Sequence, residues 1–155
     1  MNKFRYSHEQ VVWLEVPNEV SLAYQISGCP LRCKGCHSAD TWKLGVGQEL
    51  SSEYLDSRLK QYQGLITCVL FLGGEWQVDE LIARLVQVKQ GGLKTCLYTG
   101  FEQEELAEDI ISHLDYLKTG RWIAELGGLD SPTTNQRFIQ LSTGAALTHL
   151  FRKGN

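Results

Sequence analysis

Residues 65–74 read Leu-Ile-Thr-Cys-Val-Leu-Phe-Leu-Gly-Gly, and this stretch indicates the fold. Its eight mostly apolar residues are too few for a membrane span, which needs about 20. A continuous apolar run of this length is typical of a strand covered on both faces, as in a parallel sheet. Gly73-Gly74 then ends the strand. The segments on either side must supply the layers that cover it.

Helical patterns flank this strand on both sides. Before it, Ser51 or Ser52 can cap a helix that ends at Gly64. The apolar positions of this helix are Leu55, Leu59 and Tyr62. After the strand, residues 78–89 have the period of a second helix. Its predicted buried face consists of Leu81, Ile82, Leu85 and Val86. A helix on each side of a buried strand favours a βαβ arrangement.

The remaining pattern extends this alternation. Residues 19–27 alternate apolar and polar side chains, which predicts a half-buried strand. Residues 93–98 predict a further strand, 102–112 a third helix, and 114–118 and 137–141 two short strands. We therefore expect an α/β protein with a parallel sheet, in which ligands bind beyond the carboxyl ends of the strands. Three loops should meet at that edge: the cysteine-containing loop after the first strand, Gly73-Gly74, and Thr99-Gly100.

Composition narrows the class of protein. The chain has 155 residues, of which 43% are hydrophobic and 21% charged, with a net charge of −3. These values are normal for a globular protein and predict a single domain over residues 1–155. The absence of a basic block argues against a nucleic-acid partner. With neither a secretory signal nor a membrane span, we expect a cytoplasmic protein that does not bind membranes.

The cysteines point to a metal centre. Cys29, Cys33 and Cys36 account for three of the five and follow the spacing C-x3-C-x2-C. In a reducing compartment, clustered thiols more often bind metal than form disulfides. Thiolates are the ligands of iron–sulfur clusters, and a [4Fe–4S] cluster normally takes four. Three cysteines would leave one iron open, and an open position is typical of a catalytic metal site.

Two other interpretations of the cysteines remain. A structural zinc site could use the three thiolates and His37, although adjacent Cys36 and His37 would need a cramped turn. An electron carrier could take its fourth ligand from Cys68 or Cys96. Both of these lie in predicted strands, where a free cysteine more often serves as a small buried hydrophobe.

The order of the motifs resembles the radical S-adenosylmethionine superfamily. The cysteine triplet after a strand and Gly73-Gly74-Glu75 after the next are similar to its cluster loop and Gly-Gly-Glu motif, with Trp76 where the family often has proline. Ser27-Gly28-Cys29 through Thr41-Trp42 resembles the glycyl-radical-enzyme activases. Three further motifs keep the order of the small activases of anaerobic ribonucleoside-triphosphate reductase: Phe71–Glu75, Tyr98–Phe101 and Thr134–Arg137.

The resemblance implies a role for each matching position. Cys29, Cys33 and Cys36 would hold a [4Fe–4S] cluster, and S-adenosylmethionine would bind its open iron. Gly73 and Gly74 would contact the methionyl part of that ligand, since a missing Cβ permits close approach, and Glu75 would belong to the same cofactor site. Tyr98, Thr99 and Gly100 would border its ribose or adenine, and Asn135 and Gln136 would form a wall of the same site. The implied fold is a partial, open parallel βα barrel.

The resemblance also implies a reaction and partners. Reductive cleavage of S-adenosylmethionine would give a 5′-deoxyadenosyl radical, with electrons from reduced flavodoxin or a similar donor. A 155-residue α/β core leaves little chain for a cap over a small substrate, so we expect a protein substrate to close the site. The implied partner is a glycyl-radical enzyme, anaerobic ribonucleoside-triphosphate reductase. A radical reaction on a small metabolite is the alternative within the same superfamily.

Overall fold

The computed structural model describes residues 4–27, 47–121 and 123–151. In these ranges the chain forms eight strands and three α-helices. The strands are β1 (Arg5–Val12), β2 (Ser21–Ile26), β3 (Gln48–Glu49), β4 (Cys68–Leu72), β5 (Lys94–Tyr98), β6 (Tyr116–Thr119), β7 (Arg137–Gln140) and β8 (Ala145–Ala146). The helices are α1 (Ser52–Gln61), α2 (Val78–Gln90) and α3 (Glu108–Ile111).

The described strands form one mixed sheet in the order β3-β1-β2-β4-β5-β6-β7-β8. The four central strands, β2, β4, β5 and β6, are parallel. The outer strands pair antiparallel. The α/β prediction is confirmed, but a wholly parallel sheet is wrong. Residues 13–20 join β1 to β2, and this connection is too short for the crossover that parallel pairing requires.

Strand β4 lies at the centre of the core, as the apolar run predicts. Val69 and Phe71 pack into a cluster with the helices, whereas Cys68 and Leu70 pack into a second cluster on the opposite face. We call these two faces the helix face and the strap face. The strap is residues 13–18, whose Val16 is fully buried in the second cluster. The sheet is therefore covered on both sides at its centre.

The first predicted strand is correct in position but not in burial. Its alternating pattern predicts one solvated face, yet β2 buries Ser21, Leu22, Ala23 and Tyr24 in succession. The reason is tertiary: Leu22 and Tyr24 lie in the helix-face cluster, and Ala23 lies with Val16 in the other. Small or polar residues on the second face accommodate the strap.

Helices α1 and α2 are confirmed. Ser51 caps α1, its side chain accepting a hydrogen bond from the Tyr54 amide at 3.1 Å. The buried face of α2 is rotated from the predicted one and consists of Leu81, Arg84, Leu85 and Val88. Arg84 is buried because its Nε donates to the Leu50 carbonyl at 2.9 Å and its guanidinium lies over the Phe4 ring. Ile82 and Val86 are only half-buried.

The predicted helix over residues 102–112 is wrong. The chain makes one 3-10 turn at Gln103–Glu105, becomes extended at Leu106 and Ala107, and then forms only the four-residue α3. The Glu102 and Glu105 side chains satisfy backbone amides in a capping box around the short turn. The extended break lets Leu106 and Ile110 both reach the core. No helix in the described part of the chain is long and apolar enough to cross a membrane.

The rotated face of α2 gives a stability prediction. Leu85→Ala should lower the free energy of unfolding by about 3 kcal/mol, because it opens a cavity in a fully buried position. Val86→Ala is the matched control, and at a half-buried position it should cost under about 1 kcal/mol. Urea unfolding of both variants measures the two values, and equal losses would contradict the assigned face.

Candidate active site at the carboxyl edge

The turns that follow β4, β5 and β6 are tied to one another along the carboxyl edge of the sheet. The Gly73 amide donates to the Tyr98 carbonyl at 2.9 Å, which continues the β4–β5 pairing beyond the strand end. The Thr99 amide donates to the Lys118 carbonyl at 2.9 Å, and the Gly120 amide to the Phe101 carbonyl at 3.1 Å. Two of the three loops predicted to converge therefore do so. The third, the cysteine loop, lies outside the described residues.

Gly73 and Gly74 are required by backbone conformation and by packing. Their φ angles are 95° and 106°, which side-chain-bearing L-residues rarely adopt. A Cβ at Gly73 would lie 2.6 Å from the Trp76 ring, and one at Gly74 would lie 3.0 Å from the Phe4 ring. The space that the missing side chains leave is thus filled by protein. A ligand must approach this turn from another side.

Glu75 is a buried carboxylate beside this turn. Its Oε1 accepts a hydrogen bond from the Thr99 hydroxyl at 2.8 Å, whereas Oε2 is buried and has no hydrogen-bond partner. Burial raises the pKa of Glu75 to about 7, although its own backbone amide, the Thr99 hydroxyl and the Lys118 ammonium each oppose that rise. A carboxylate with one oxygen unsatisfied in the interior favours a proton or a cationic ligand.

A cleft of about 370 Å³ adjoins Glu75. Trp76, Phe101 and Leu106 contribute to its walls, and the indole nitrogen of Trp76 is a second buried polar atom without a partner. Aromatic rings beside a carboxylate suit a positively charged ligand that also carries apolar groups. Trp76, noted in the sequence only because it stands where the family often has proline, is therefore part of the candidate site.

The predicted trio Tyr98, Thr99 and Gly100 divides between the two faces of the sheet. Thr99 contacts Glu75, and its hydroxyl also accepts a hydrogen bond from the Phe101 amide at 3.0 Å. Tyr98 lies on the strap face, where its hydroxyl donates to the Glu15 carbonyl. Burial raises the pKa of Tyr98, so its phenol stays protonated. Gly100 is half-buried in the turn that follows Thr99.

Asn135 and Gln136 lie at the same edge, next to the end of β6. Gln136 Nε2 donates to the Gly120 carbonyl at 3.3 Å, and Asn135 Nδ2 donates to the Arg121 carbonyl at 3.2 Å. A Cβ at Gly120 would lie 3.1 Å from Gln136 Cα, so this approach also depends on glycine. Asn135 Oδ1 is buried and has no hydrogen-bond partner. The structure joins this pair to the edge but shows no contact between it and Glu75.

Cys29, Cys33 and Cys36 lie outside the described residues, but the residues flanking their segment are placed. The Ser27 amide donates to the Arg5 carbonyl at 2.9 Å, and Arg5 Nη1 donates to the Gly47 carbonyl at 3.1 Å. Residues 28–46 therefore leave and rejoin the described chain beside Arg5. Ser27 directly follows β2, so this point is the carboxyl end of a central parallel strand.

Cys68 and Cys96 serve as buried strand residues. Both are free and fully buried, and Cys68 begins β4 at the opposite edge of the sheet from the Gly73 turn. Burial raises the pKa of Cys68 to about 12 and that of Cys96 well above its ordinary value, so both remain thiols. Among the described residues, no group of three or more His, Cys, Asp or Glu side chains could hold a metal ion. This geometry does not favour either cysteine as a fourth ligand.

Lys118 also contributes to the candidate site, although the sequence did not indicate it. Its ammonium lies 5.5 Å from the centre of the Tyr98 ring, and its charge lowers the pKa of Glu75. Its position could have indicated this role. Lys118 is the last residue of a predicted strand, and ligands bind beyond the carboxyl ends of strands in a parallel sheet. A cation at this position stabilises the ionised form of the Glu75 carboxylate.

A family model described as a 4Fe-4S single cluster domain matches residues 20–139. The chain belongs to this family. The match supports the predicted iron–sulfur cluster and runs from β2 across every predicted site residue. Zinc as the metal of the cysteine segment is correspondingly disfavoured.

The curated relatives are activating proteins. The chain is 35% identical over 94 residues to the pyruvate formate-lyase-activating enzyme of Clostridium pasteurianum, covering 57% of this chain and 40% of that enzyme. It is 28% identical over 117 residues to the anaerobic ribonucleoside-triphosphate reductase-activating protein of Vibrio cholerae, covering 64% of this chain and 72% of that protein. The resemblance to the glycyl-radical-enzyme activases is confirmed. The chain spans about two fifths or less of the pyruvate formate-lyase-activating enzymes it matches.

The buried carboxylate gives a pH-dependent prediction. The pKa of Glu75 is about 7 in the folded protein against 4.5 ordinarily, so between these values the folded state binds more protons than the unfolded state. The free energy of unfolding therefore falls as pH rises from 4.5 to 7, by up to about 3 kcal/mol. Glu75→Gln removes the charge and keeps an acceptor for Thr99. It should stabilise the ligand-free protein by about 1–2 kcal/mol at pH 8 and by little at pH 4.5.

Urea unfolding at the two pH values measures this difference. Glu104→Gln, at an exposed position, is the matched control and should change stability by less than about 0.5 kcal/mol at either pH. An effect of Glu75→Gln that is equal at pH 4.5 and pH 8 would contradict the assigned burial of the charge.

Proposed function

We propose that this protein is an iron–sulfur activase that reductively cleaves S-adenosylmethionine and generates a glycyl radical on a partner enzyme, anaerobic ribonucleoside-triphosphate reductase. The observation that carries the proposal is the Gly73-Gly74-Glu75 turn. It presents an unsatisfied buried carboxylate oxygen at the sheet edge from which the cysteine segment departs. Family membership and the activase relatives support the same reaction class.

The residues present fit the two groups that this function needs. The thiolates of Cys29, Cys33 and Cys36 are the ligand type for a [4Fe–4S] cluster and number one fewer than its irons. S-adenosylmethionine carries an ammonium group and a sulfonium. Both are cations that a buried carboxylate with aromatic neighbours favours. The cleft beside Glu75, at about 370 Å³, is of the size of a small-molecule site.

The chain's own residues would bind S-adenosylmethionine, orient it and shield it from water. When bound, the cluster and S-adenosylmethionine supply one-electron cleavage of the C5′–S bond, which yields methionine and a 5′-deoxyadenosyl radical able to take hydrogen from a glycine Cα. Glu75 would pair with the ammonium of the methionyl group, and the Thr99 hydroxyl would fix the orientation of that carboxylate. Gly73 and Gly74 would contact the methionyl group through their backbone. Tyr98, Gly100, Asn135 and Gln136 are proposed to border the nucleoside.

The fold and the partners of this function are also proposals. The central parallel strands with helices on one face are compatible with an open βα barrel. The share of the Vibrio cholerae protein that is covered, 72%, supports the reductase as the partner. The higher identity to the Clostridium enzyme favours pyruvate formate-lyase as the second candidate. Reduced flavodoxin or a similar carrier would supply the electron.

The activity prediction uses protein reconstituted anaerobically with iron and sulfide. With dithionite and S-adenosylmethionine it should form 5′-deoxyadenosine, measured by chromatography, and Cys33→Ala should lose this product because one cluster ligand is removed. Electron paramagnetic resonance after addition of the reductase or of pyruvate formate-lyase should then detect a glycyl radical on one of them. Iron incorporation without 5′-deoxyadenosine, with either partner present, would favour the electron-carrier alternative.

The role of the strand cysteines is tested separately. The double variant Cys68→Ala/Cys96→Ala should retain about four irons per chain, as in the wild type, because both thiols are protonated and buried. Iron analysis and the visible absorption of the reconstituted cluster measure this. Loss of the cluster from the double variant, with the fold intact by circular dichroism, would show that a strand cysteine is a ligand.

A further inference from the structure

Strand β1 has an open edge in the described part of the chain. One side of β1 pairs with β2 from Tyr6 to Val12, whereas on the other side β3 covers only Arg5 and Tyr6. Gly47, with a φ angle of 91°, bends the chain where β3 begins. Among the described residues, 8–12 are therefore paired on one side only. An unpaired strand edge is a template for pairing with another chain.

The backbone groups of Glu9 and Val11 point out of this edge. The carbonyl of Val20, just before β2, accepts a hydrogen bond from the first amide of β4 at 3.2 Å. Because backbone groups alternate in direction along a strand, those of Ala23 face β1, where Ala23 pairs with Gln10. Gln10 thus directs its amide and carbonyl toward β2. Its neighbours Glu9 and Val11 direct theirs to the open side.

The open edge lacks the side chains that commonly prevent such pairing. Residues 8–12 read His-Glu-Gln-Val-Val, without the lysine or proline that often blocks an edge. An irregularity in the β1–β2 register lies only at its start, between Tyr6 and His8. Immediately after the edge, Trp13 and Leu14 expose 65% and 83% of their surfaces. An open edge beside exposed apolar side chains is typical of an association surface.

The edge is complementary to itself. When two copies form one sheet about a two-fold axis normal to it, opposite side chains lie on the same face, so paired residue numbers have an even sum. A register centred on Gln10 pairs Glu9 of one copy with Val11 of the other and uses all the outward backbone groups. A register centred on Glu9 would place two carboxylates opposite each other, which is destabilising. One centred on Val11 would need Trp13, beyond the end of β1.

The register centred on Gln10 also gives exposed side chains partners. The Gln10 carboxamide makes no hydrogen bond with any described residue, and it can both donate to its symmetry copy and accept from it. His8 of one copy lies opposite Val12 of the other. Trp13 comes opposite Ser7, which brings the exposed indole next to the second chain. No pair in this register joins like charges.

We infer that a second copy of this chain pairs antiparallel with the open edge of β1, in the register centred on Gln10, and joins the two eight-stranded sheets into one. The paired segment is short, so we expect a dissociation constant in the micromolar range. Antiparallel pairing reverses the strand direction of the second copy. The two candidate active sites therefore lie at opposite edges of the continuous sheet, and the inference does not depend on the proposed function.

Charge at position 10 tests the register. Gln10→Lys would place two ammonium groups opposite each other and Gln10→Glu two carboxylates. Each variant alone should raise the dissociation constant about tenfold, through repulsion and loss of the amide pair. An equimolar mixture of the two should associate about as tightly as the wild type, because each mixed pair joins opposite charges.

Sedimentation equilibrium of the reconstituted protein across the micromolar range measures these constants. Gln63→Lys and Gln63→Glu, at an exposed position between α1 and β4, are the matched controls and should not change association. Circular dichroism of the Gln10 variants should match the wild type, because the Gln10 side chain is exposed.

A disulfide tests the same contact directly. Gln10→Cys would place two thiols across the axis at a non-hydrogen-bonded pair, where Cα atoms lie about 4.5 Å apart, within the range that a disulfide spans. Mild oxidation with diamide should give a dimer linked through position 10, identified by mass spectrometry of its peptides. Gln63→Cys should give no dimer linked through position 63.

Four outcomes overturn the inference. The first is wild-type protein that sediments as a single chain throughout this range, which would leave the edge to an extended segment of another protein. The others are wild-type affinity in Gln10→Lys, a mixture of the two charged variants that associates no better than either alone, and a dimer that cannot be linked through position 10.

Discussion

The hydrogen bond from the Gly73 amide to the Tyr98 carbonyl continues the parallel pairing of β4 and β5 into the turns beyond them. Because of this bond, the Gly-Gly turn cannot move independently of the Tyr98-Thr99 turn. The Thr99 amide makes the equivalent bond to the Lys118 carbonyl, so the constraint passes to β6. Backbone pairing of this kind between neighbouring turns holds the groups at the edge in fixed positions relative to one another.

Consecutive side chains at the end of β5 make different contacts, because side chains alternate between the two faces of a sheet. Thr99 lies toward the helices and orients the Glu75 carboxylate, whereas its neighbour Tyr98 lies on the opposite face and fixes the strap through Glu15. One strand end therefore supports the proposed cofactor site with one residue and fixes the strap with the next. A shift of one residue in the register of β5 would exchange these side chains between the faces and break both contacts.

The central strand β4 and the helix α1 could be predicted from the sequence, whereas the outer strand β1 and the segment after Glu102 could not. The β4 run and the cap of α1 were predictable because their signals are local: continuous apolarity in one case and a serine before a helical period in the other. Strand β1 was missed because Ser7-His8-Glu9-Gln10 has no apolar alternation, and its pairing depends on contacts with β2. The acidic run after Glu102 has helical composition, but its carboxylates cap a short turn instead. The resemblance identified the Gly-Gly-Glu motif, but no local pattern encodes the hydrogen bond between Glu75 and Thr99, which lies 24 residues away.

The burial of Glu75 also determines how ligand binding is linked to protons. With its pKa near 7, the free carboxylate is a mixture of charged and neutral forms at physiological pH, and only the charged form can pair with an ammonium. A cationic ligand must therefore displace the proton below pH 7, so its affinity should rise with pH up to about that value and then level off. Lys118 has the opposite effect to burial, because its charge holds the pKa lower than burial alone would set it. A cation paired with Glu75 would satisfy a carboxylate that destabilises the ligand-free fold, and this gain would contribute directly to binding.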